Sequence, residues 1–173
     1  MHRVKSDQRP HVDTQPVTAQ QVFETCWNAV STANLRQLSR IREDLMTWRR
    51  GSAQVALLVN PSLNNLTIYS VLVTGTEPSL EFFRYLLRYN ILQRRECLGF
   101  VEKQDQFYVV MKYTMELELA MPDILQRNIY AFQETADKMD NDLVAVFGGS
   151  LHFEDWEKLD QPAVDNLLDQ LFG

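Results

Sequence analysis

Three pairs of residues in this chain of 173 could do chemistry. Arg94 and Arg95 stand side by side, and two forked guanidinium groups could grip an acidic partner. Glu116 and Glu118 alternate, so on a strand both carboxylates point to one face and could hold a cation. Cys26 and Cys97 match no metal or redox spacing. Both lie among apolar residues and read as buried thiols, which suits a reducing, cytoplasmic compartment. Each pair also has a plainer reading, the arginines as a solvated loop and the glutamates as a solvated strand end. Of the histidines, His2 and His11 fall in a polar leader and His152 near the C-terminus. None is placed inside a core element, which argues against a buried imidazole base. Phosphate loop, nucleophile elbow, His-Glu-x-x-His and dinucleotide glycine patterns are all missing. The chain therefore reads as a non-enzyme with no catalytic residue, no metal and no cofactor. The alternative is a small-ligand-binding or enzymatic domain using Arg94, Arg95, Glu116 and Glu118.

Composition narrows the partners. A formal charge of −6 argues against general affinity for nucleic acid or anionic membrane. No apolar run is long enough to span a bilayer, so membrane insertion is not expected. The charge is uneven: residues 151–173 carry six acids and the single base Lys158.

The elements that must position these residues follow from spacing. Residues 1–17 read as a disordered leader, polar and containing Pro10 and Pro16. Thr18 and Gln21 form a capping box, followed by Val22, Phe23, Cys26, Trp27 and Val30 at helical spacing. Leu35, Leu38, Ile41, Leu45 and Trp48 predict a second helix, or a continuation of the first, ended by Gly51. Residues 53–60 and 66–75 predict a β-hairpin about the turn Pro61–Asn65. A helix follows, capped near Ser79, with Leu80, Phe83, Leu86, Leu87 and Asn90 on one side and Phe82 and Tyr89 widening its apolar face. Residues 98–103 and 106–119 predict a second hairpin. Pro122 opens a long helix whose seam is Leu125, Ile129, Phe132, Ala136, Met139, Leu143 and Val146, and Gly148-Gly149 stops it. The class is α+β: an antiparallel sheet of about four or more strands with helices on it, in the order α(α)-β-β-α-β-β-α plus a C-terminal tail helix. The main domain spans residues 18–149 and an acidic amphipathic tail spans 150–173.

Two surfaces invite a partner. On the strand 106–119, Phe107, Val109, Met111, Tyr113 and Met115 share one face; Tyr108, Val110, Lys112 and Thr114 share the other. If helices cover only one face, the neighbourhood of Phe107, Tyr108 and Val110 offers an apolar groove for a peptide. The tail carries Trp156 and Leu159, then a short helix after Pro162 with Leu167, Leu168 and Leu171. It would either pack on its own domain or bind another protein. The seven-residue period of the long-helix seam also leaves a homodimer open.

The run from Arg84 to Gly149 resembles the YbjN-like family, once described as bacterial sensory-transduction regulators. The shared features are Leu86, Leu87 and Asn90 at a helix end, strands at Leu98–Val101 and Tyr108–Lys112, Pro122 opening a helix, and Ala136-Asp137 near its middle. Residues 53–83 match less well. Cys97-Leu98-Gly99 departs from the family's frequent Phe-Gly, and the N-terminal helical region is long. The flavour resembles cyanobacterial or plastid members. The resemblance implies a fold similar to type III secretion chaperones, which cradle segments of client proteins, and it supplies no catalytic residues. The expectation is an adaptor or assembly chaperone whose partner is a protein or peptide segment. The alternative among binding proteins is a regulator of a signalling pathway through protein–protein contacts.

Overall fold

The structure, a computed structural model, describes residues 18–32, 36–93, 95–103 and 105–152. Helix α1 (Ala19–Ser31) opens with the expected box: Thr18 Oγ1 accepts from Gln21 N–H, and Gln21 Oε1 accepts from Thr18 N–H. Four strands follow, β1 (Arg36–Arg40), β2 (Leu45–Arg50), β3 (Ala53–Asn60) and β4 (Asn65–Thr74). Helix α2 (Leu80–Leu92) leads to β5 (Cys97–Lys103) and β6 (Gln106–Glu116). A single 3-10 turn at Leu117–Leu119 precedes the long helix α3 (Pro122–Phe147), and β7 (Ser150–Leu151) closes the described chain. The mixed α+β class and the helix–hairpin–helix–hairpin–helix order are those read from the sequence, with one more strand pair, β1–β2, between α1 and the first expected hairpin.

The helix expected from Leu35 to Trp48 is, over its described residues 36–48, instead the strand pair β1–β2, joined at the charged turn Arg42-Glu43-Asp44, and Leu35 lies outside the described residues. The apolar spacing misled because β2 is buried on both faces. Met46 and Trp48 look toward the helices, Leu45 and Thr47 away from them, and none is exposed. A strand covered on both sides loses its alternation, and its apolar positions then fit a helical period equally well. The second hairpin is also shorter than expected: β6 ends at Glu116, and Leu117–Leu119 turn out of the sheet.

The seven strands form one antiparallel sheet in the order β1-β2-β3-β4-β6-β5, with β7 pairing the end of β4. Pairs such as Trp48↔Val55, Leu57↔Ile68, Leu66↔Met115 and Leu98↔Met111 define one face. These side chains form a single apolar core with Phe23 and Val30 of α1, Phe82 and Leu86 of α2, and Leu125, Ile129, Phe132 and Ala136 of α3. All three helices therefore pack on the same side, the inner face.

The seam of α3 is largely the core stripe that its period suggested. Leu125, Ile129, Phe132, Ala136 and Leu143 are buried and Met139 is partly buried, but Val146 is 68% exposed. On α2 the expected side is rotated. Phe82 and Leu86 face the core, Phe83, Tyr85 and Tyr89 flank them, and Leu80 and Leu87 are exposed. Leu87 is thus outside the core. The reason is the narrow contact of α2, which lies along the edge strand β5 and buries one row of side chains.

Candidate functional site

The site is built from the sheet outward. On β6, Val109 and Met111 point to the helices, while Tyr108, Val110, Lys112 and Thr114 point the other way. Their neighbours on this outer face follow from register. Val71 and Gly99 flank Val110, Tyr69 and Cys97 flank Lys112, and Thr67 faces Thr114. Across β4 and β3 the face continues through Ala56 opposite Tyr69, then Thr47 opposite Ala56 and Leu45 opposite Leu58. A bulge at Leu72 keeps this pattern in step: Val71 pairs Val110 on the outer face, and Val73 pairs Val109 on the inner.

Leu45, Ala56, Tyr69, Val71 and Val110 are all buried, as are Thr47 and Thr67. The apolar members do not belong to the helix-packed core. The sheet thus has a second apolar patch on the face turned from the helices. Tyr69 is its largest member, and burial pushes its phenol above the ordinary range, only partly offset by the nearby Arg42 guanidinium. Sequence reasoning put Tyr108 and Val110 on one face of the strand, as observed, but did not single out Tyr69 and Leu45. Their signal was the absence of polar alternation in β4, from Leu66 to Val73.

Phe107 lies on the inner face instead, at its edge. It continues an aromatic row in which Phe83 and Phe100 lie 5.1 Å apart and Phe100 and Phe107 6.0 Å apart. Arg95 is exposed and bridges α3 and β6: its Nη2 donates to Asn128 Oδ1, and its guanidinium lies 5.6 Å from the Tyr113 ring centre. Asn128 in turn donates to the Tyr113 hydroxyl at 2.9 Å. Glu116 and Glu118 are exposed, the first at the end of β6 and the second in the 3-10 turn, so they do not share a strand face. Among the described residues no group of His, Cys, Asp or Glu could hold a metal ion. Arg94, Trp156, Leu159, Leu167, Leu168 and Leu171 lie outside the described residues.

Two further expectations need correction. Cys97 is exposed rather than buried, because it sits on the outer face of the edge strand β5. Cys26 is buried in α1, where desolvation pushes its thiol up to about 12 and leaves it inert at neutral pH. His152, expected near the tail and outside the core, is buried: its N–H donates to Leu72 O at 3.3 Å, and its ring meets Tyr108 edge-on at 5.9 Å.

Comparisons with known proteins bear on the family and on the fold. The family model TY-Chap1, described as T3SS (YopN, CesT) and YbjN peptide-binding chaperone 1, matches residues 31–155. A chain of the crystal structure of the ExsC-ExsE complex aligns with a TM-score of 0.51 at 13% identity, over 71% of this chain and 93% of that one. At that identity the likeness speaks for the fold alone. No curated protein matches. No helix of the described residues is long and apolar enough to cross a membrane.

Proposed function

We propose, from the premise that the chain belongs to the family of T3SS and YbjN peptide-binding chaperones, that it holds a segment of a client protein as an adaptor or assembly chaperone and catalyses nothing. The observation that carries this reading is the second apolar patch. A sheet whose helices all lie on one side, yet whose other face is lined by Leu45, Ala56, Tyr69, Val71 and Val110, is built to be covered by polypeptide. Tyr108 and Lys112 rim it with polar groups, as the edge of an apolar binding surface requires. The polar pairs raised as an enzymatic alternative support it poorly, since Arg95 is spent on Asn128 and Tyr113 and the two glutamates sit in different elements.

A photo-crosslinking residue at Tyr108, in the full chain, tests the surface against the same residue at Tyr130 on the exposed side of α3. In extract of the source cells, the Tyr108 variant is expected to capture one polypeptide through one repeated segment, and the Tyr130 variant is not. Capture of the same proteins from both positions, or from neither, would remove the outer face as the client surface.

A further inference from the structure

The buried outer patch needs an occupant in the protein as it stands, and the helices do not provide one. Leu45, Ala56, Tyr69, Val71 and Val110 are shielded from solvent although α1, α2 and α3 all pack on the opposite face. Arg42, held to Asp44 at 2.9 Å in the β1–β2 turn, is near enough to Tyr69 for its charge to act on the phenol.

Two long segments lie beyond the described residues, and the described residues next to them sit on opposite sides of the sheet. The N-terminal segment joins the chain at Thr18, where Ala19 packs against the inner core. Residues 1–17 contain no Leu, Ile, Phe, Tyr or Trp, and only Met1, Val4, Val12 and Val17 as larger apolar side chains with which to cover an apolar patch. The C-terminal segment follows His152, whose ring lies against the outer-face residue Tyr108. After α3, Gly148 and Gly149 take φ values of 75° and 87°, which side chains rarely adopt. A Cβ on Gly149 would stand 2.7 Å from Thr74 O, so this corner is fixed against β4 and is no hinge. Thr76 Oγ1 adds a hydrogen bond to Gly148 O at 3.2 Å. Ser150 and Leu151 then pair Thr74 and Val73, and His152 sets its ring edge-on to Tyr108, an outer-face residue.

We infer that residues 153–173 dock on the outer face of the sheet and occupy the patch around Tyr69 as an intramolecular stand-in for a client. Three features suit them to it. The segment carries Phe153, Trp156, Leu159, Val164, Leu167, Leu168, Leu171 and Phe172. It is long enough, since six strands span only about 24 Å and even a helical part would cross that width with residues to spare. Its six acids complement Lys112, which stands between Tyr69 and Cys97 on the face. The consequence for regulation rests on the proposed client-binding role of this face: a client must displace a tail held at high effective concentration, so the tail weakens client binding.

Two measurements on the full chain decide the matter. A benzophenone amino acid in place of Leu168 is expected to crosslink within one chain to peptides containing Leu45, Ala56, Tyr69 or Val110. Crosslinks only to the helices, or only between chains, overturn the docking. The second probe is a fluorescein-labelled synthetic peptide of residues 153–173. It is expected to bind a full chain carrying Leu167→Asp and Leu168→Asp at least tenfold more tightly than the wild type, whose face its own tail occupies. Equal affinity for the two chains overturns occupancy in cis. If the crosslinks fall on the patch while the Tyr108 variant, with the same two substitutions, still captures no client, the docking stands and the client surface lies elsewhere.

Discussion

At the scale of single residues, the turn between β2 and β3 is tied to α3 by a network that has too few protons. Ser52 Oγ lies 2.9 Å from Asp137 Oδ1 and 3.1 Å from Asp140 Oδ1, and one hydroxyl proton cannot serve both. Ser52 N–H also donates to Asp137 at 2.7 Å, and Asn141 Nδ2 donates to Asp140 at 2.8 Å. Burial pushes Asp140 up to about 6, and the charge of Asp137 adds to this. Ser52, the Asn141 backbone and Arg49 oppose the shift. The folded pKa thus exceeds the ordinary value of 3.8, so the folded state holds the extra proton between about 4 and 6. The contribution from Asp140 is full below about 4 and is lost as pH rises through 6. Denaturant unfolding of wild type and Asp140→Asn across pH 3.5–7 should show this slope in the wild type and a flatter curve in the variant. Parallel curves would mean that Asp140 titrates as it does in the unfolded chain. The same cluster explains Gly51: its φ is +55°, and an added Cβ would stand 2.0 Å from Asp137 Oδ1.

At the scale of elements, α3 and α2 make opposite use of similar apolar content. α3 drives its stripe into the centre of the sheet, and Phe132 is fully buried among it. Phe132→Ala should cost about 3–5 kcal/mol in chemical unfolding; a loss below about 1 kcal/mol would place the ring outside the core. α2 rests on the edge strand through Phe82 and Leu86, and Asn90 clasps Leu98 with two hydrogen bonds of 2.7 Å each. Its far side leaves Ile91 80% exposed and Leu92 77% exposed. Ile91→Lys should therefore change stability by no more than about 0.5 kcal/mol. A larger loss would show that this side of α2 is covered in solution.

At the scale of the molecule, the inner face is consumed by the protein's own helices, and the outer face is the surface proposed to receive polypeptide. That division also bears on self-association. The α3 period suggested a helix-mediated dimer, yet Leu125, Ile129, Phe132, Ala136 and Leu143 are buried against the sheet. Val146 is the one seam residue left exposed. The mass from sedimentation equilibrium should accordingly be the same for wild type and Val146→Lys. A dimer that the substitution splits would restore the seam as an interface.

Local chemistry made several elements legible before any tertiary contact. The capping box at Thr18 and Gln21, the turn at Pro61–Asn65, Pro122 at the head of α3 and Gly148 at its end each act within a few residues. The alternation of β6 likewise separated Val109 and Met111 from Tyr108 and Val110 correctly. Leu35–Trp48 was not legible, because double-sided burial erases the period that separates strand from helix, and only pairing with β3 fixes β2 as a strand. The same holds for the site. Periodicity could say that Tyr69 and Leu45 are apolar positions in an apolar run, but which face they join depends on register across three strands. Leu45 reaches Tyr69 only through Leu58 and Ala56 of β3, a neighbourhood made by hydrogen bonding between strands far apart in the chain.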